Sequence, residues 1–193
     1  MKKLKAWQAL QASGKKIFTS ADLQKILQTK SGNYACVAAG RLIKERVLER
    51  AAKGYYMLTS NRPSDFELAN ALYRPSYVSL ASALNFYGIM IQAPQQTTSV
   101  TTKHASVRRC GGKTFSYVQV NPRYFNDYQL VNGFLIATPE KAMVDMMFAV
   151  ALGRDSLSLE ELNFQLLDKD KIKELARQIS NRAFKKYFQT IKL

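Results

Sequence analysis

Only two cysteines and a single histidine occur in the 193 residues. Cys36 and Cys110 lie far apart along the chain, which leaves no disulfide framework, and together with His104 they make no zinc-ligand spacing. Such usage fits a reducing compartment. Long apolar runs are missing as well. The opening MKKLKAWQALQASG starts with lysines as a secretory leader does, but Lys5, Gln8 and Gln11 interrupt it. Nothing approaches the roughly 18 uninterrupted apolar residues of a membrane helix. A soluble, cytoplasmic protein without membrane partners is expected. Acidic residues are scarce too: 14 stand against 29 Lys and Arg, a formal charge of +15. The first expectation is therefore an anionic partner.

What is present is enough apolar and aromatic material, 47% and 11%, to build at least one real core. The basic excess is concentrated at the front, since residues 1–61 hold 12 Lys/Arg and 3 Asp/Glu while residues 62–193 hold 17 and 11. Polar residues and Pro63 in TSNRPSD (59–65) interrupt both helical and strand periodicity, which places a domain boundary at 61/62. The chain contains no internal repeat and no low-complexity tract.

In the first segment, Leu4, Trp7 and Leu10 form a short apolar stripe ending at Gly14. Thr19 and Asp22 have the spacing of a capping box, opening a helix through Leu23, Ile26 and Leu27. A third helical pattern runs from Asn33 to about Glu45. VLER and YYMLT then read as strands joined by AAKG, where Gly54 supplies the permissive backbone of a tight reversal. Three helices followed by a hairpin is the order of a winged helix-turn-helix.

Winding residues 33–46 at 100° per residue turns Ala35, Ala38, Ala39 and Leu42 inward. Asn33, Val37, Gly40 and Lys44 point the other way, flanked by Tyr34 and Arg41. That outer row suits a helix in a major groove. Asn33 and Arg41 have the donor and acceptor geometry for base edges, whereas Lys30, Lys44, Arg50 and Lys53 suit phosphates. The alternative is an ordinary surface helix whose charges meet only water. The expected DNA-binding set is Lys30, Asn33, Tyr34, Val37, Gly40, Arg41, Lys44, Arg50 and Lys53.

The second segment opens with a helix over 65–73, followed by another begun by YVSLASALNFYGI, with Ser79 as its cap. TTSVTT (97–102), KTFSYVQV (113–120) and GFLIA (133–137) have strand composition, with Gly111-Gly112 and Asn132-Gly133 as reversal signals. TPEKAMVDMMFAVAL places Thr138 at a cap, Pro139 at the first helical position and Glu140 in the first turn. Helices are expected near 158–167, 169–180 and 182–191. The last of these sets Ala183, Phe184, Tyr187, Phe188 and Ile191 on a packing side opposite Lys185 and Lys186. The fold class is α+β: a winged helix-turn-helix over 1–61, then a mixed α/β domain over 62–193 that is helical after 139.

LIKERVLERAAKGYYML, YVSLASALNFYGI and IATPEKAMVDMM, in that order and spacing, make the chain resemble the AbiEi family of antitoxins and viral-defence transcriptional regulators from type IV toxin-antitoxin systems. The likeness covers most of residues 15–152. Related sequences often have glycine where Arg46 stands, after the third helix. The resemblance implies a winged helix that binds its own operator as an autorepressor, and a C-terminal domain that helps counter a nucleotidyltransferase-like toxin encoded beside it. Direct contact with the toxin does not follow. The reading is compatible with a monomer in solution that binds DNA cooperatively.

Other sites are weaker. Glu140 and Asp145 stand about 140° apart around one helix and do not converge on an ion, so no catalytic residue, metal or cofactor is assigned. A nucleic-acid-processing enzyme using these carboxylates, and a regulator without any toxin, are the alternatives. His104 reads as a loop histidine, Cys36 as partly packed and Cys110 as an exposed loop thiol. KHASVRRCGGK (103–113) gathers Lys103, Arg108, Arg109 and Lys113 into either a second basic surface or a solvated loop.

Overall fold

The computed structural model describes residues 3–159 and 162–191. It is a mixed α+β chain that divides into two compact units, residues 1–72 and 73–193. The division falls after Leu72 rather than after residue 61. The helix over Asp65–Leu72 belongs with the first unit, where Lys16 Nζ holds Glu67 at 2.9 Å.

The first unit opens with α1 (Lys3–Ala12), β1 (Ile17–Thr19) and α2 (Ser20–Ile26). Its buried face on α1 is Ala6 and Leu10, with Trp7 half-packed and Leu4 62% exposed. The expected stripe is therefore rotated by part of a turn, since Ala6 and Leu10 stack one helical turn apart. The three-residue β1 was not foreseen. It ends on Thr19, which then caps α2: its hydroxyl accepts from Asp22 N at 3.1 Å, and the Asp22 carboxylate accepts from Thr19 N at 2.9 Å. The expected capping box is present.

Partial burial pushes the Asp22 carboxyl up, but the Lys15 ammonium and the Thr19 hydroxyl and amide outweigh it and hold the group at about 2, down from 3.8. A depressed folded-state value stabilises the fold above the ordinary carboxylate range and loses that contribution as protons bind. The stability of the first unit is expected to decline as pH falls from about 4 to about 2, and Thr19→Ala, which costs about 1 kcal/mol at neutral pH, should flatten that decline. Urea unfolding at a series of pH values checks both.

Next come α3 (Gly32–Lys44), β2 (Leu48–Ala52), β3 (Tyr55–Leu58) and α4 (Asp65–Leu72). The strands form a sheet in the order β1-β3-β2. Ala35, Ala39 and Leu42 of α3 are buried against Phe18, Leu23, Leu48 and Leu58, so alanine lets the helix lie close to the sheet. Arg46 lies in the left-handed region at φ 58. Its N–H reaches Ile43 O at 2.9 Å and that of Val47 reaches Leu42 O at 2.9 Å, a Schellman-type ending at a position that favours glycine.

The second unit runs β4 (Ser76–Val78), α5 (Leu80–Phe86), β5 (Thr97–Thr101), β6 (Ser106–Cys110), β7 (Lys113–Gln119), β8 (Tyr128–Val131), β9 (Phe134–Ala137), α6 (Pro139–Ala151), α7 (Lys169–Arg177) and α8 (Arg182–Thr190). Six strands form one sheet in the order β6-β7-β5-β4-β9-β8. Within it β5 and β7 run parallel, as do β4 and β9, and the other pairs are antiparallel. Asn132 (φ 48) and Gly133 (φ 88) turn β8 into β9, as their dipeptide predicts. The Thr138 hydroxyl accepts from Lys141 N at 3.3 Å and Pro139 opens α6.

Five expectations change. Most of the segment 103–113 is not a loop: Ser106–Cys110 pairs with β7 and the turn at Gly111-Gly112 closes a hairpin, while residues 103–105 stay outside the strand. Cys110 is accordingly buried, while Cys36 is exposed on α3. The helix expected over 158–167 reduces to a 3-10 turn at Phe164–Leu166, with residues 160 and 161 outside the described ones. On α8, Phe184 and the following Ile191 are buried but Ala183 is exposed. No helix among the described residues is long and apolar enough to cross a membrane.

Candidate nucleic-acid interface

Lys30, Asn33, Tyr34, Val37, Gly40, Arg41, Lys44, Arg50 and Lys53 are all exposed. Eight follow from the two elements that carry them: α3 buries its alanine face and so turns Asn33 through Lys44 outward, while the β2–β3 hairpin carries Arg50 and Lys53. A bulge interrupts the β2–β3 register between Arg50 and Ala52, beside the turn at Gly54 (φ 81). Bulges re-aim neighbouring side chains. Lys30 precedes α3 in its entry loop.

Large apolar side chains sit among these cations, with Val37 73% and Tyr34 63% exposed. Gly40 lies mid-helix with ordinary helical backbone, and a Cβ there would meet no atom within 4 Å. Neither packing nor backbone geometry requires glycine, although it costs a helix interior roughly 0.5–1 kcal/mol against alanine. A cavity of about 440 Å³ opens beside the row, floored by Ala6, Leu27, Ala38 and Leu42 and rimmed by Lys30, Tyr34, Val37 and Arg41.

The electrostatics of this unit are uneven. Asp22 pairs with Lys15, Glu67 with Lys16 and Glu49 with Arg62, none of these cations belonging to the row. Glu45 accepts from Arg41 Nε at 3.1 Å. Among the described residues, no carboxylate lies within ion-pair distance of Lys30, Lys44, Arg50 or Lys53. Apart from Glu45 at Arg41, the paired carboxylates sit on other cations, so the row keeps a positive field. Ser31 occupies the N-cap of α3 without a side-chain hydrogen bond, and no acidic residue stands in that helix's first turn. Its leading N–H groups are thus left to an external acceptor.

On β6, Arg108 stacks over the Tyr73 ring at 5.0 Å and Lys103 lies 5.8 Å from the same ring centre. Tyr73 OH donates to His104 O at 3.0 Å, and His104 sits in a loop. Arg109 follows on the opposite side of the strand, and Lys113 begins β7. All four cations are exposed, but they are divided between two faces.

Sequence reasoning missed a polar cluster inside the second unit. Lys141 and Asp145 are 2% and 3% exposed, with Lys141 Nζ 2.6 Å from Asp145 Oδ1. Tyr77 OH and Ser79 Oγ both donate to Asp145 Oδ2, at 2.9 and 2.8 Å. Burial and the Asp145 carboxylate hold the Tyr77 hydroxyl well above its ordinary range, which keeps it a donor. Ser79 occupies the N-cap of α5 but, against expectation, makes no cap hydrogen bond because its hydroxyl is taken by Asp145. The available signal was Lys141 and Asp145 at i,i+4 in a helix that is otherwise apolar after Glu140. Glu140 points elsewhere: it accepts from Asp168 N at 3.4 Å and lies 3.5 Å from Lys171 Nζ. Among the described residues no group of three or more His, Cys, Asp or Glu gathers as a metal site would require.

No family model and no curated protein matches the chain. Among solved structures it is similar to the crystal structure of the RV2827C protein from Mycobacterium tuberculosis, at TM-score 0.55 and 14% identity over 98% of this chain and 71% of that one. A likeness at that identity is one of fold.

Proposed function

We propose that residues 1–61 are a winged helix-turn-helix that binds double-stranded operator DNA, with α3 in the major groove and the β2–β3 turn on the adjoining backbone. The observation that carries this is the exposed row from Lys30 to Lys53, in which Arg41 has a carboxylate partner, Glu45, and Lys30, Lys44, Arg50 and Lys53 have none among the described residues. The order of helices and hairpin supports it, as does the uncapped start of α3, which suits a phosphate.

The chain is further proposed to be an AbiEi-like antitoxin of a type IV system, repressing its own operon and counteracting a nucleotidyltransferase-like toxin. This half rests on the resemblance carried by YVSLASALNFYGI and IATPEKAMVDMM. Gel shifts with the DNA upstream of the gene test the repressor: binding no tighter than to random duplex removes it. Coexpression with the neighbouring gene tests the antitoxin. Unrelieved toxicity leaves a regulator that acts without a toxin.

Two substitutions separate readout from anchoring. Arg41→Ala is expected to cost about 1–3 kcal/mol on the preferred duplex and to relax preference at one base position. Lys53→Ala should weaken preferred and random duplexes by the same factor. Competition titrations distinguish the two patterns.

A further inference from the structure

We propose that α3 selects duplexes carrying a thymine C5-methyl that packs on Val37 across the notch at Gly40, with Arg41 reading a guanine about two base-pair steps away. This rests on the reading of 1–61 as a DNA-binding winged helix, and it specifies what that helix recognises.

Gly40 is the starting point. A glycine that weakens a helix, and that no neighbour or dihedral requires, is explained by something approaching from outside. The approach is along the outward row, because the opposite face carries buried Ala35, Ala39 and Leu42.

Val37 supplies the chemistry. It is 73% exposed on a row otherwise made of amide, hydroxyl-bearing and cationic groups. In the major groove the apolar feature of a base edge is the thymine methyl, and an apolar side chain is its complement. Removing Cβ at position 40 lets the groove floor come near enough for that contact.

Arg41 sets the spacing. Its Nε is held by Glu45, which leaves both terminal nitrogens for the paired contact with guanine O6 and N7. Val37 and Arg41 are separated by four residues, about 6 Å of helix rise. Base pairs stack about 3.4 Å apart, so the two contacts fall about two steps from one another.

The test starts with selection of preferred duplexes from a randomised pool by the full chain. Each thymidine of the winning sequence is then replaced singly by deoxyuridine, which deletes only the methyl. The expected result is one position, about two steps from a required guanine, where the replacement weakens binding about fourfold, the value for one buried methyl-sized group. Val37→Ala should bind thymidine and deoxyuridine equally at that position. Gly40→Ala should raise the unfolding midpoint while lowering affinity at least tenfold. Selection that succeeds with no deoxyuridine-sensitive position overturns the methyl reading and leaves DNA binding standing. Undiminished affinity in Gly40→Ala overturns the close approach. A pool that never enriches overturns the winged-helix reading and this proposal together.

Discussion

Asp145→Ala is expected to destabilise the 73–193 unit by about 3–5 kcal/mol, the range for breaking a buried ion pair from one side. The loss does not come from the attraction alone. Lys141 would remain 2% exposed with its ammonium stripped of a carboxylate at 2.6 Å, and the Tyr77 and Ser79 hydroxyls would lose their shared acceptor. A buried charge without a partner is worse than no charge. The double variant Lys141→Met, Asp145→Leu should therefore recover part of the loss, since well-packed apolar replacements of a buried pair are often neutral or better. Full recovery is not expected, because each orphaned hydroxyl still costs about 1–3 kcal/mol. Urea unfolding of the three proteins, followed by circular dichroism, gives the comparison. A single-variant loss below 1 kcal/mol would mean that water reaches the cluster on little local opening.

Raising monovalent salt from 50 to 200 mM is expected to weaken duplex binding about 50- to 500-fold, since each phosphate contact adds about 0.9 to the log-log slope and the row offers three to five cations for this role. Lys30, Lys44, Arg50 and Lys53 enter the count because they lack carboxylate partners that would have to be displaced first. Arg41 enters it less fully, being engaged by Glu45. Lys44→Ala should lower the slope by about 1. Fluorescence anisotropy at four salt concentrations measures it, and a flat response removes phosphate contact as the basis of binding.

How far the fold could be read in advance depended on the range of the interactions. The Thr19–Asp22 capping box, the Thr138–Pro139 helix start and the Asn132-Gly133 turn are settled within a few residues, and each appears in the structure. The exposed row of α3 was legible for the same reason, because one helical period relates Ala35 to Ala39 and Val37 to Gly40. Ser79 shows the limit. Its position at a helix start follows from local pattern, but its hydrogen-bond partner is Asp145, which no window around Ser79 contains. Strand β6 was hidden by composition: Arg108 and Arg109 make it look like a solvated loop, although an edge strand readily carries charge. Arg46 stands where sequences of the family that the chain resembles often have glycine, and its φ of 58 gives a physical reason for glycine at such a position.

In the sheet of the second unit β4 pairs on one side with β5 and on the other with β9, where Val78 stands opposite Ile136. During synthesis, β4 and its partner β5 are made before β9. One whole side of β4 must then wait, its Ser76, Tyr77 and Val78 destined for complete enclosure yet open to any passing strand. Nascent chains in that condition are aggregation-prone, so the yield of native protein should depend on how quickly translation passes residue 137 and on the chaperones that shield the waiting edge.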